Sequence, residues 1–196
     1  MKKAEATRRT ILEKAFDLIY MQGYQATSID EIIATTKVTK GAFFYHFKNK
    51  EEMGLAVIKE IMYEGMYKNM TQSIADSKNP LKDIYNLFKE LLLLNPYMQV
   101  KYGCPANNFM QEMAPLNDAF NIAFINMVTE WHNMIEQCIK RGKALGQIRK
   151  DVNPKQVAYF VMSGYGGIRI LGKVYNSTDC YVTYLKELKS YLNSLQ

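Results

Sequence analysis

Two histidines, three cysteines and one tryptophan in 196 residues leave little for metal, thiol or general-base chemistry. His132 has only Glu136 at helical spacing as a second ligand, and one His with one Glu is more often an ordinary surface pair than a metal site. Cys104, Cys138 and Cys180 are odd in number and widely spaced, with no C-x-x-C pair. A reduced cytoplasmic interior is therefore expected rather than a disulfide frame, and a redox role for Cys104, beside Gly103 and Pro105, is the minority reading. The most apolar run, Leu91 to Leu94, is far too short to cross a bilayer. The start, Met1-Lys2-Lys3-Ala4-Glu5, leads into a charged amphipathic helix and not a leader peptide, so no membrane partner is expected. Ser163-Gly164-Tyr165-Gly166-Gly167 is glycine-rich, but no strand precedes it and no Gly-Lys-Ser/Thr follows. With no nucleophile elbow, P-loop or dinucleotide fingerprint, neither an enzyme nor a cofactor is expected.

What is present is helical. The chain is 48% hydrophobic, carries a net charge of +6 and has a pI near 9.0, which permits an anionic partner without demanding one. No strand-like alternation, repeat or low-complexity segment interrupts it, and the fold class is all-α. A first helix is expected from about Ala4 to Gln22, with Ile11, Leu12, Ala15, Phe16, Leu18 and Ile19 as its buried stripe and Gly23 as its C-cap. Arg8 and Arg9 near its start read as solvated charges or as phosphate contacts. A long helix follows from Lys50 to about Asp76, and another opens at Pro80. A short segment runs from Gly103 to Met113, and a further long helix from about Leu116 to Gly142. Asn153-Pro154-Lys155-Gln156 is a further helix start, with Val157, Phe160, Val161, Gly164, Ile168 and Leu171 as the expected stripe. The last helix, about Asp179 to Leu195, spaces Tyr181, Leu185, Leu188, Leu192 and Leu195 for burial.

The stretch from Ser28 to Lys50 organises the rest. Ser28-Ile29-Asp30-Glu31 has capping-box spacing, and Thr39 is a second N-cap. The helix it would start, Lys40 to His46, carries Lys and no acid in its first turn, against the preference of the helix dipole. An external anion, phosphate above all, would resolve that conflict. Four lysines (Lys37, Lys40, Lys48, Lys50) and no acid lie between Thr36 and Lys50, interleaved with Phe43, Tyr45 and His46. The bland alternative is a solvated basic face. Spacing, cap conflict and aromatic interleaving together favour a helix-turn-helix.

This region resembles the TetR family of bacterial transcriptional regulators. The matching residues are Gly23-Tyr24, Thr27-Ser28, Ile32, Val38-Thr39-Lys40-Gly41 and His46-Phe47-Lys48-Asn49-Lys50-Glu51-Glu52. Two positions depart from the family pattern. Lys37 stands where a glycine usually supplies positive φ, at an expected cost of about 1 kcal/mol, and Phe44 stands where tyrosine is usual, so that Tyr45 is expected to substitute.

The resemblance implies a three-helix DNA-binding domain over residues 1–52, and a helical ligand-binding and dimerisation domain over 53–196. The last two helices would form a four-helix bundle with a second copy. The expected partner is double-stranded palindromic operator DNA, read in successive major grooves about 34–36 Å apart. Lys40, Tyr45, His46 and Lys50 are expected to contact phosphates or base edges. Thr27, Ser28 and Thr39 would support the backbone grip, Gly41 and Ala42 would allow close approach, and Ala42 or Phe43 would meet a thymine methyl. A mostly apolar or aromatic effector is expected in a cavity walled by Phe88, Tyr102, Phe109, Met113, Met127, Trp131 and Tyr165. For each of these residues ordinary core packing is the competing reading. A different class, an all-α adaptor or ligand carrier with a basic face for protein or anionic lipid, would show no preference for a palindrome.

Overall fold

The computed structural model describes residues 3–67, 74 and 77–196, and every regular element among them is helical. The chain divides into two compact units, 1–67 with 105–126, and 68–104 with 127–196. Compactness thus groups a central stretch with the N-terminal helices, whereas the expected functional division falls at residue 52.

In the first unit α1 (Lys3–Gln22) buries Ile11, Leu12, Ala15, Leu18 and Ile19, and ends where Gly23, at φ +94°, donates its N–H to the Ile19 carbonyl at 2.9 Å. Helix α2 (Ile29–Ala34) opens on the expected capping box. Ser28 Oγ accepts from the Glu31 N–H at 3.1 Å, and Glu31 Oε2 accepts from the Ser28 N–H at 3.5 Å. The turn to α3 (Lys40–His46) is made without left-handed backbone, because the one non-glycine at positive φ among the described residues is Asn176. The strain expected at Lys37 is therefore absent. Thr36 builds the turn instead: its hydroxyl donates to the Ile33 carbonyl (3.0 Å) and accepts from the Val38 N–H (3.2 Å). Helix α4 (Lys50–Ala56) starts at the Asn49 cap and runs on as a π-helical stretch, Val57–Tyr67, burying Met53, Val57, Ile61 and Met62. The remainder of the long helix expected there, at 68–73 and 75–76, lies outside the described residues.

Helix α6 (Pro105–Met113) and the start of α7 (Asp118–Ala144) complete this unit. The Tyr24 ring stacks on Phe109 (5.2 Å between centroids) and meets Phe120 edge-on (5.0 Å). Gly54 makes that approach possible, since an added Cβ would come within 2.7 Å of the Tyr24 ring.

The second unit contains α5 (Pro80–Lys89), continued by a π turn (Glu90–Leu94). A 3₁₀ turn (Val100–Tyr102), the rest of α7, α8 (Pro154–Tyr175) and α9 (Asp179–Asn193) complete it. Asn153 caps α8 through the N–H groups of Lys155 and Gln156, and Asn176 in the left-handed region closes it. Helix α9 buries Tyr181, Leu185, Leu188 and Leu192, as its spacing requires. On α8 the buried face is Val157, Ala158, Val161, Tyr165, Arg169 and Gly172. This corrects the expected stripe: Phe160 is 58% exposed and Leu171 44%. Gly172 fixes the rotation of the helix, because an added Cβ there would overlap the Tyr181 ring at 2.3 Å.

Candidate nucleic-acid interface

Helix α3 is anchored from below and open above. Phe43 and Phe47 are fully buried, with ring centroids 5.7 Å apart, and root it on α1. Thr39 caps it, Oγ1 accepting from the Ala42 N–H at 3.2 Å, and its first turn contains no acid. Thr39, Lys40, Gly41, Phe44 and Tyr45 are exposed, Tyr45 at 79%. No atom lies within 4 Å of where a Gly41 Cβ would sit, so nothing in the described fold requires glycine there. Lys40 reaches the Asp30 carboxylate at 3.0 Å, in a pair that is itself mostly exposed and hence weak.

Several residues expected at the interface are held elsewhere. Phe43 is in the core and presents no surface for the expected thymine-methyl contact. Thr27 is fully buried and its hydroxyl donates to the Gly23 carbonyl at 2.8 Å, which ties the turn before α2 and leaves no group facing outward. Ser28 is exposed, but its hydroxyl is engaged in the capping box. Lys50 folds back: its ammonium lies 4.4 Å from the Tyr24 ring centroid and donates to the Gln25 carbonyl at 3.2 Å. Burial lowers its pKa, partly offset by Glu112. The following turn carries Glu51 and Glu52, so the opening of α4 is served by the chain's own carboxylates.

Arg8 is engaged within the protein rather than left free in solvent. Its guanidinium pairs with Glu60 at 2.6 Å, donates to the His46 carbonyl at 3.1 Å and lies 4.4 Å over the Phe47 ring. It thereby fixes the C-terminal end of α3 to the helix that follows. His46 is half-buried, and burial followed by the nearby Arg8 charge lowers its pKa below the ordinary 6.5. A second brace was invisible in local sequence. Glu112 on α6 accepts from the Tyr24 N–H at 2.8 Å and from the Gln25 N–H at 2.6 Å, just before α2.

A profile for bacterial regulatory proteins of the tetR family matches residues 11–57, which include all of α2 and α3. A tetracyclin repressor-like C-terminal domain matches residues 80–188, more than half of the chain. The chain belongs to the TetR family. It is 26% identical over 168 residues to the HTH-type transcriptional repressor DhaR of Mycobacterium sp. (strain GP1), spanning 85% of this chain and 82% of that protein. It is also 26% identical over 174 residues to the transcriptional regulator AcuR of Cereibacter sphaeroides, spanning 87% and 78%. A TetR-family transcriptional regulator from Cytophaga hutchinsonii superposes with a TM-score of 0.88 over 100% of this chain and 98% of its own, at 17% identity, a likeness of fold.

As a TetR-family member the chain is a transcriptional regulator that binds DNA through its helix-turn-helix, and not an enzyme. No helix among the described residues is long and apolar enough to cross a membrane. Among those residues no group of His, Cys, Asp and Glu could hold a metal ion, and His132 makes only a 3.7 Å pair with Glu136.

The residues expected to wall an effector cavity are divided between the units. Phe88, Trp131 and Tyr165 form one aromatic cluster, with Tyr165 5.5 Å from Phe88 and 5.4 Å from Trp131. Met127 is buried in the same unit, and Tyr102 there is half-buried. Phe109 and Met113 belong to the first unit, where Phe109 packs on Tyr24, Phe120 and Phe124. The chain passes from one unit to the other at Pro105. An open groove of about 560 Å³, lined by Asn86, Lys89, Glu90, Leu94, Asn95, Pro96 and Tyr97, includes none of the expected residues.

The sequence reading missed Arg169 altogether. It is fully buried on α8 and donates to the Gly103 carbonyl through Nη2 and to the Met98 carbonyl through Nη1 (3.5 Å), with Met98 Sδ 3.8 Å from Nη2. An arginine four residues after Tyr165, at i+4 on one face, was the available signal.

Proposed function

We propose that the protein is a homodimeric repressor that binds a palindromic operator through α3 and releases it on binding a small, mostly apolar effector. The observation that carries this reading is the exposed run Thr39-Lys40-Gly41 with Tyr45, set on a buried Phe43–Phe47 footing and with open space above Gly41. Such a surface fits close approach of a groove edge, with Lys40 on phosphate and Tyr45 at a base edge or phosphate. Residues 1–52 act as the reader, residues 53–196 as the ligand-binding and dimerisation region, and the protein works in the cytoplasm.

An exposed apolar face on α8 supports self-association through the last two helices. Phe160, Leu171, Val174 and Tyr175 lie outward there, Val174 at 72% exposure, and space is open beside Gly167. The cluster of Phe88, Trp131 and Tyr165 supports an apolar or aromatic effector. A ligand that prefers one spacing of the two readers shifts the population away from the DNA-binding form.

The test is fluorescence anisotropy with duplexes from the regulator's own genome, each against its scrambled counterpart, at several salt concentrations. Binding of one palindromic duplex at two protein chains per site, well above the scrambled control, supports the reading. Equal binding to every duplex removes it and favours a basic adaptor.

A further inference from the structure

We propose that Arg169 is the recognition residue for an anionic head on the effector, so that the effector is a carboxylate on a mostly apolar body. This rests on the ligand-responsive reading above and narrows it. A guanidinium stays charged at every physiological pH, and buried charges are ordinarily paired with opposite charge. Arg169 is fully buried, yet none of its hydrogen-bond partners among the described residues is acidic: they are the carbonyls of Met98 and Gly103 and the Met98 thioether. Its Nε–H has no partner. The Tyr181 ring lies 5.5 Å from the guanidinium carbon, and its buried hydroxyl also faces Arg169.

The unpaired Nε–H and the adjacent Nη2–H form the side-on fork that suits a carboxylate. One oxygen would take Nε–H, and the other would replace the Gly103 carbonyl on Nη2. The exchange would set an opposite charge against the buried guanidinium, where only neutral acceptors stand now. Apolar side chains lie beside this head. Tyr165 precedes Arg169 by one helical turn, packs on Phe88 and Trp131, and its hydroxyl lies 3.9 Å from Cys104 Sγ. Gly103 and Cys104 thus contact Arg169 and Tyr165 respectively, and a carboxylate that takes Nη2 would release one hold on the Gly103 carbonyl.

The experiment compares acids with their neutral isosteres on the full chain: phenylacetate with phenylacetamide, and octanoate with octanamide. Binding is read by the fluorescence of Trp131, the sole tryptophan, by release of operator, and by hydrogen exchange of the 98–104 segment. At least one acid is expected to act at a concentration tenfold or more below its amide and to raise exchange in 98–104. Arg169→Lys keeps the charge but loses the fork and should shrink the acid-to-amide ratio, and Arg169→Met should bring it to about one. Each ratio is normalised to that variant's own operator affinity. Should Arg169→Met fail to fold, the wild-type ratio and Arg169→Lys decide the matter. Amides as potent as acids, or a preference for acids that survives Arg169→Lys unchanged, overturn the assignment while leaving an apolar effector standing. No response to acids or amides at millimolar concentration overturns it together with that reading.

Discussion

On α3, Tyr45 projects into solvent and Lys40 is held only by the exposed carboxylate of Asp30, whereas on α8 Arg169 is fully enclosed and bonded to main-chain carbonyls. The two regions present polar groups under opposite conditions. At the reader surface the groups are hydrated, each contact is worth little alone, and added salt weakens the charged ones. In the second unit desolvation has already occurred on folding, so one well-placed charge can discriminate strongly between ligands. On the proposed reading a duplex would be held by many replaceable contacts, and a small effector by few that are hard to replace.

The sharpest way to break this contrast is Phe43→Ala. If Phe43 is footing and not interface, the change costs about 3–5 kcal/mol of stability, measured by denaturant unfolding. Loss of DNA binding with the unfolding midpoint unmoved would return Phe43 to the surface. Tyr45→Ala should do the reverse. Operator binding weakens by about 1–3 kcal/mol with an altered base preference, while stability moves by no more than about 0.5 kcal/mol. Uniform weakening across sequences would mark Tyr45 as a phosphate contact only.

Gly41→Ala tests the open space directly. A helical alanine is expected to raise the stability of the free protein by about 0.5–1 kcal/mol and yet weaken operator binding, as seen by pairing thermal melts with anisotropy. Tighter binding would mean that no groove wall comes close. The two lysines refine the contrast further. Lys40→Ala should lower the salt slope of binding by about one, whereas Lys50→Ala should leave the slope alone and cost about 0.5–1 kcal/mol of stability through the lost cation–π contact with Tyr24. Equal slopes for the two variants would contradict the fold-back of Lys50.

The smallest effect concerns His46. Burial and Arg8 hold its pKa below 6.5 in the free protein, so it is neutral at pH 7. Nearby phosphates would raise that pKa, and binding would then take up a proton. Operator affinity should rise as pH falls from 7 towards 6, and His46→Gln should flatten the profile. The free fold moves the other way: a depressed histidine pKa means that the unfolded chain binds the proton first, so stability declines as pH drops below 6.5.

Features governed by near neighbours were legible in the sequence. The Ser28–Glu31 box, the Thr39 cap, the Gly23 stop and the Asn153 start all formed as expected, because each depends on spacings of a few residues. What depended on distant partners was not. Arg8 finds His46 and Glu60, Lys50 returns to Gln25 and Glu112 reaches Tyr24, over separations from 25 to 88 residues. Helix α8 misled for a different reason. Its inner face includes an arginine and a glycine, which periodicity assigns outward, while Phe160 and Leu171 lie outward despite being apolar.

The contact between Asp30 and Lys40 has one further implication. If Lys40 grips a duplex as proposed, phosphate would displace a resident carboxylate there, and the pair, being exposed, would oppose it only weakly. Removing that rival, as in Asp30→Asn, would then raise the grip on every duplex slightly and alike, whatever its base sequence.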